Sequence, residues 1–164
     1  MANRRLLTIP FLILLSTFGA CEDRRADKAY LRGDYDKALV DVQFLAHNGE
    51  ARAQYDLGVM YDKGQGVPQS DAVAMQWYER AAAQGEPRAQ YNLGLMYLNG
   101  QGVPPDLVTA YYWVSLSAGH GNQHAMDARD YISEKMSVEQ IAEGKRRVRE
   151  HEEQVAQRKG QCCL

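Results

Sequence analysis

The sequence predicts an all-α fold in which pairs of helices stack on one another as a solenoid. The first observation is an internal repeat, since residues 53–68 (AQYDLGVMYDKGQGVP) recur almost unchanged as residues 89–104 (AQYNLGLMYLNGQGVP). The second is that the apolar residues of each copy follow the three-to-four spacing of an amphipathic helix. A repeat of this length is one supersecondary unit, which buries its apolar face only against further copies.

Each copy is predicted to begin with a helix whose apolar face includes Leu57 in the first copy. Gly64 is expected to end that helix, because glycine readily adopts the left-handed conformation of a helix C-terminus. Gly58 and its counterpart Gly94 lie inside these helices, where each costs roughly 1 kcal/mol relative to alanine. Their recurrence predicts a helix crossing that has no space for a side chain.

A second helix follows in each copy, with recognisable start and stop signals. Ser70 or Asp71 can cap it in the first copy, and Asp106 can cap it in the second, because these side chains accept hydrogen bonds from the first free amides. Gly85 is expected to end the second helix. Pro87 is then acceptable in the first turn of the next helix, so two helices per copy are predicted.

The combined pattern resembles the Sel-one-like repeat (SLR), a relative of the tetratricopeptide repeat. Residues 51–86 carry its positions almost throughout: Ala53, Leu57, Gly58, Tyr61, Gly64, Gly66, Val67, Asp71, Ala74, Trp77, Tyr78, Ala81, Ala82 and Gly85. Residues 87–122 depart from it in the second helix, at Val114 and Ser117. The resemblance implies a right-handed α-solenoid of antiparallel helix pairs, with the first helices lining the concave side, and it implies no chemistry.

The regions flanking the two repeats are predicted to be degenerate copies. Ser137 and Gln140 have capping-box spacing for a final helix, which is mostly charged apart from a thin apolar stripe. We interpret that helix as a polar cap on the last repeat; a coiled-coil partner site is the alternative. The predicted organisation is a signal peptide at 1–20, a tether and degenerate helix pair at 21–50, SLR repeats at 51–86 and 87–122, a degenerate repeat with a capping helix at 123–158, and a tail at 159–164.

The N-terminus predicts export and lipid anchoring. Two arginines precede an apolar run at 6–18, which is too short for a comfortable membrane span. The following residues, 18–21 (FGAC), resemble a bacterial lipobox, which implies lipidation of Cys21 and attachment to a membrane facing the periplasm. Glu22 after the cysteine favours the outer membrane. Ordinary secretion and an uncleaved anchor are the alternatives.

Composition and motifs exclude several other classes. Lys and Arg total 19 and Asp and Glu total 21, and no basic stripe appears on the repeats, so no nucleic-acid partner is expected. We expect no enzyme activity and no cofactor, because no catalytic constellation is visible. Gly121 interrupts the spacing of His120 and His124, which argues against a metal pair. Cys162 and Cys163 are adjacent in the tail and could form disulfides in an oxidising compartment.

The side of each first helix that faces away from the core predicts a binding groove. At about 100° per residue, this side carries a band of aromatic and aliphatic residues with charged edges, from which we select Tyr55, Val59, Asp62, Arg88, Tyr91, Leu95, Leu98 and Tyr131. Tyr55 and Tyr91 could instead be packing residues between repeats. Val59, Leu95 and Leu98 are expected to be exposed aliphatics, which favour a bound peptide or partner helix.

The sequence therefore predicts a monomeric, lipid-anchored adaptor or scaffold of the bacterial envelope that binds a protein or peptide in its concave groove. One alternative is an accessory factor or enzyme that acts on peptidoglycan. Another is a structural lipoprotein without a specific ligand.

Overall fold

The computed structural model describes residues 31–161, and this part of the chain contains helices and their connections but no strand. In chain order the helices are α1 (Tyr35–His47), α2 (Ala51–Lys63), α3 (Asp71–Ala83), α4 (Pro87–Asn99), α5 (Leu107–Gly119), α6 (Gln123–Ser133) and α7 (Val138–Gln161). The predicted all-α solenoid is confirmed. The predicted signal peptide, Cys21, the first part of the predicted N-terminal helix pair, Cys162 and Cys163 lie outside the described residues.

The helices pack in the order of a solenoid. Within the two repeats, α2 packs on α3 and α4 packs on α5. Between repeats, each second helix packs on the next first helix, so that α1 contacts α2, α3 contacts α4, and α5 contacts α6. We call the side formed by α2, α4 and α6 the first-helix face. Among residues 31–161, no helix is long and apolar enough to cross a membrane.

Caps and turns fall where the sequence predicts them. Gly64 and Gly100 stand at the C-termini of α2 and α4 with φ of 67° and 70°, the left-handed region that suits glycine. The Ser70 hydroxyl accepts a hydrogen bond from the Val73 amide at 3.4 Å and caps α3. The Asp106 carboxylate accepts hydrogen bonds from two backbone amides and caps α5. These local signals therefore fix where each helix begins and ends.

The core consists of three clusters, one for each step of the stack. The first lies between α1, α2 and α3 and contains Trp77, which is only 8% exposed. The second lies between α3 and α4 and contains Tyr78. The third lies between α5 and α6 and contains Val114. Trp113 is only half-buried, against the second cluster, so the two tryptophans of the repeats are not equivalent.

The helix crossing inferred from the two internal glycines is present. A Cβ atom at Gly58 would lie 2.6 Å from the Tyr78 ring. A Cβ atom at Gly94 would collide with the Val114 side chain and approach the Ala110 carbonyl oxygen to 3.1 Å. Alanine at either position would therefore push apart the two helices of its repeat.

The C-terminal helix α7 packs against α5. Gly144 allows the close approach, because a Cβ atom there would lie 2.6 Å from the Tyr111 ring. Farther along, Tyr112 Oη and His151 Nδ1 are hydrogen-bonded at 3.0 Å. The predicted capping box at the start of α7 is present. The helix continues to Gln161, past the predicted start of the tail at residue 159, and no proline interrupts it.

Candidate functional site

A cavity of about 250 Å³ lies on the first-helix face between α2 and α4; we call it the α2–α4 cavity. Its lining comes from three helices and one loop. Residues of α2 and α4 form the two sides, Tyr78 contributes from α3, and Gln101 contributes from the loop after α4. The lining residues are Tyr55, Val59, Asp62, Lys63, Tyr78, Asn92, Leu95, Met96 and Gln101.

Four of the residues predicted for the groove meet in this cavity: Tyr55, Val59, Asp62 and Leu95. Arg88 lies at its edge, where the guanidinium carbon stands 4.3 Å from the centroid of the Tyr55 ring. Glu86 holds Arg88 in that position through an ion pair of 2.7 Å between Nε and the carboxylate. The Tyr55 ring also stands against the Tyr78 ring, with the centroids 5.8 Å apart.

The other predicted groove residues lie elsewhere. Tyr91 and Leu98 pack against the third core cluster, and neither lines the α2–α4 cavity. Tyr131 stands on α6 and is 52% exposed, with the Lys135 ammonium 4.6 Å from the centroid of its ring. The predicted residues therefore do not form one continuous band. Four of them line a single cavity between the first two repeats, Arg88 stands at its edge, and the other three lie farther along the first-helix face.

The prediction that Val59, Leu95 and Leu98 are exposed is wrong, since all three are half-buried. Val59 packs against the second core cluster, and Leu98 packs against the third. The physical reason is the next repeat, which covers positions that point away from their own repeat's core. Leu95 belongs to no core cluster of the described residues and lines the cavity, so it is the aliphatic side chain best placed to contact a ligand.

Asp62 is the acidic group of the cavity. Burial raises the pKa of its carboxyl above the ordinary value, the charge of Asp71 raises this pKa further, and Lys63 opposes the shift. The Gln69 side chain donates a hydrogen bond to the backbone carbonyl of Asp62 at 2.9 Å. Among residues 31–161, however, no group donates to the Asp62 carboxylate or forms an ion pair with it. The cavity therefore contains a partly desolvated acid without an ion-pair partner among the described residues.

Five lining residues were not predicted from the sequence: Lys63, Tyr78, Asn92, Met96 and Gln101. Asn92 could have been found, because it precedes Leu95 by three positions and so shares a side of α4. Met96 lies mostly in the core and reaches the cavity from there. Tyr78 and Gln101 belong to another helix and to a loop, so no single-helix pattern identifies them.

A second, larger cavity of about 560 Å³ lies beneath the C-terminal half of α7. Its walls come from the ends of α3 and α5, from α4 and from α7, and they include Gln90, His120, His151, Glu152 and Lys159. None of the predicted groove residues lines it. His120 and His124 are exposed, and His120 stands just beyond α5 whereas His124 lies within α6. Across the described residues, no group of three or more His, Cys, Asp and Glu side chains could hold a metal ion.

Comparison with known proteins identifies the repeats. The family described as Sel1 repeat matches residues 51–86 and 87–122, the same two blocks that the sequence delimits. A search of curated proteins returned no match. Sel1 repeats typically act as scaffolds for protein–protein interaction.

Several solved structures resemble this fold, among them these two. One is c5321, described as a protective antigen of uropathogenic Escherichia coli strains that displays an SLR fold; it is 26% identical, with a TM-score of 0.77 over 82% of this chain. The other is a Sel1 repeat protein from Oxalobacter formigenes, 30% identical, with a TM-score of 0.65 over 77% of this chain. The chain spans only 30% and 54% of the respective lengths of these two proteins. The chain therefore contains two Sel1 repeats, at 51–86 and 87–122, and has the SLR fold.

Proposed function

We propose that this protein is an adaptor or scaffold of the bacterial cell envelope that binds a peptide or protein segment on its first-helix face. The observation that carries the proposal is the α2–α4 cavity, where aromatic and aliphatic side chains from consecutive repeats meet one acid. A concave site with apolar walls and a few convergent polar groups is the usual form of a ligand site. In a stacked-repeat protein such a site accepts part of a longer partner that lies across the repeats.

The proposal also places the protein at a membrane, through lipidation of Cys21 after removal of residues 1–20. Its support is the sequence alone, where a short apolar run ends in FGAC. Labelling with a fatty-acid analogue is expected to mark the wild-type protein and not Cys21→Ser. An unlabelled wild-type protein that is released in soluble form would contradict the anchor and leave the binding proposal intact.

The experiment on binding compares partners recovered from solubilised membranes by two variants of the cavity. Leu95→Lys places a charge in the cavity without altering a core cluster of the described residues. Val59→Ser combined with Leu95→Ser removes both aliphatic walls. The matched control is Val40→Ser combined with Val138→Ser, since these valines are 66% and 79% exposed and lie outside the cavity.

We expect the control to recover the same partners as the wild type and both cavity variants to lose them. The helical spectrum and melting point of each variant are measured first, because Val59 also contacts the second core cluster and a loss of fold would mimic a loss of binding. If folded Leu95→Lys recovers the same partners at the same salt concentration, the α2–α4 cavity is not the binding site.

A further inference from the structure

We infer that the α2–α4 cavity selects a basic residue, so that the partner inserts a lysine or arginine side chain beside Asp62. This inference rests on the proposed function, because it assumes that a peptide occupies the first-helix face. It adds the chemistry of the residue that occupies the cavity, which neither the fold nor the repeat family specifies.

The Asp62 carboxylate is partly desolvated. It lines a cavity with Val59 and Leu95, and within the described part of the chain it forms no hydrogen bond or ion pair. A partly desolvated carboxylate without a partner is unfavourable, and a charge-assisted hydrogen bond from an incoming cation removes that penalty. The bound peptide would therefore supply a partner that residues 31–161 do not provide.

The charged residues around the cavity also favour a basic occupant. Asp71 raises the pKa of the Asp62 carboxyl by more than Lys63 lowers it. Lys63 is exposed, so its flexible side chain can remain in solvent. The nearby cation Arg88 is already engaged, since it pairs with Glu86 and stacks on Tyr55. Asp62 and Asp71 together therefore favour a positively charged occupant over an acidic one.

The walls of the cavity suit a basic side chain as well. The aliphatic stem of a lysine or arginine can lie along Val59, Leu95 and Met96 while its charged end reaches Asp62. A basic side chain thus matches both the apolar and the charged parts of the cavity.

The test is selection of a random peptide library displayed on phage against immobilised wild-type protein, Asp62→Asn and Asp62→Lys. Asp127→Lys is the matched control, because Asp127 is exposed on α6, on the same face but outside the cavity. Asp62→Asn is expected to fold: since burial raises the pKa of Asp62, folding disfavours its ionised form, and removing the charge does not lower stability at neutral pH. Melting points check this.

We expect wild type and Asp127→Lys to select peptides with lysine or arginine at one shared position. Asp62→Asn is expected to lose that preference, and Asp62→Lys to select acidic residues there. For a selected peptide, acetylation of the lysine should weaken binding to the wild type by about tenfold or more. The same acetylation should change binding to Asp62→Asn little, because the two changes remove one interaction.

Three results would contradict the inference. If Asp62→Asn and Asp62→Lys keep the basic preference, the cation binds elsewhere. If the wild type selects peptides without any basic preference, the specificity is wrong but the proposed peptide site stands. If the folded proteins select no peptides at all, both the inference and the proposed peptide-binding function fail.

Discussion

Gln84 donates a hydrogen bond from its Nε2 to Oε1 of Gln54 across 2.7 Å, and this bond ties the end of α3 to α2. The equivalent positions of the second repeat hold Gln90 and His120. Gln90 Nε2 donates to the Ala82 carbonyl at 3.3 Å, as Gln54 does to its own equivalent carbonyl. Its Oε1, however, is buried and accepts no hydrogen bond from the described residues. One glutamine-to-histidine difference thus leaves a buried acceptor unsatisfied.

We therefore predict that His120→Gln stabilises the protein. The new side chain would supply the donor that Gln84 supplies in the first repeat, and a hydrogen bond to a buried acceptor is worth about 1 kcal/mol. Urea unfolding measures the free energy of unfolding. The converse change, Gln84→His, should lower stability by a similar amount. If His120→Gln is no more stable than the wild type, the second repeat satisfies Gln90 in another way.

Gly58→Ala is predicted to destabilise the protein by about 1–3 kcal/mol, because its methyl group would overlap the Tyr78 ring. The matched control is Gly119→Ala at the end of α5, where a Cβ atom would have nothing within 4 Å. That change should leave stability unaltered or raise it by up to about 1 kcal/mol. Equal effects of the two changes in urea unfolding would show that the crossing tolerates a side chain.

Trp77→Ala is predicted to cost about 3–5 kcal/mol of unfolding free energy, because a large buried aromatic is truncated in the core. Trp77 joins α3 to α1 and α2, and the His47 ring stands edge-on to it with the centroids 5.2 Å apart. Trp113→Ala should cost less, because Trp113 is only half-buried. Denaturant midpoints and slopes of the two variants compare them directly, and a larger loss at Trp113 would contradict this ranking.

Asp106 is predicted to stabilise α5 in a pH-dependent manner. Burial opposes its ionisation, but a hydrogen bond from the Thr109 hydroxyl and bonds from the Thr109 and Val108 amides lower its pKa overall. Because the folded pKa lies below the unfolded one, the contribution is present above the unfolded pKa and is lost as pH falls through the folded pKa. Asp106→Ala should cost roughly 1 kcal/mol near neutral pH.

The measurement is the stability of the wild type and of Asp106→Ala from neutral to acidic pH. The difference should shrink as the wild-type carboxylate is protonated. Asp106→Asn is the control, because its amide oxygen can still cap the helix and does not titrate. A difference that stays constant through the acid range would mean that the charge of Asp106 contributes nothing.

The sequence predicts the features that depend on residues within one repeat, such as the helix caps. Gly64, Ser70 and Asp106 act through their own backbone or that of the next few residues, so the observed caps follow from the pattern. Gly58 and Gly94 also reveal the helix crossing, because their local cost is understandable only if a neighbouring helix comes close.

The surface depends on contacts between repeats, which a single-helix projection omits. It classed Val59 and Leu98 as exposed, although each packs against the core beside the next repeat. It also could not find Tyr78, which joins the candidate site from the second helix of its repeat. The position of α7 across α5 likewise depends on Gly144 meeting Tyr111, two residues far apart in the sequence.

The central claim is that the first-helix face binds a partner at the α2–α4 cavity, and site-specific photo-crosslinking in cells tests it most directly. A photoreactive amino acid replaces Leu95 in the cavity or, as the control, Gln76, which is exposed on the second helix of the first repeat. We predict a discrete polypeptide adduct from position 95 and none from position 76. An adduct from position 76 with none from position 95 would contradict it.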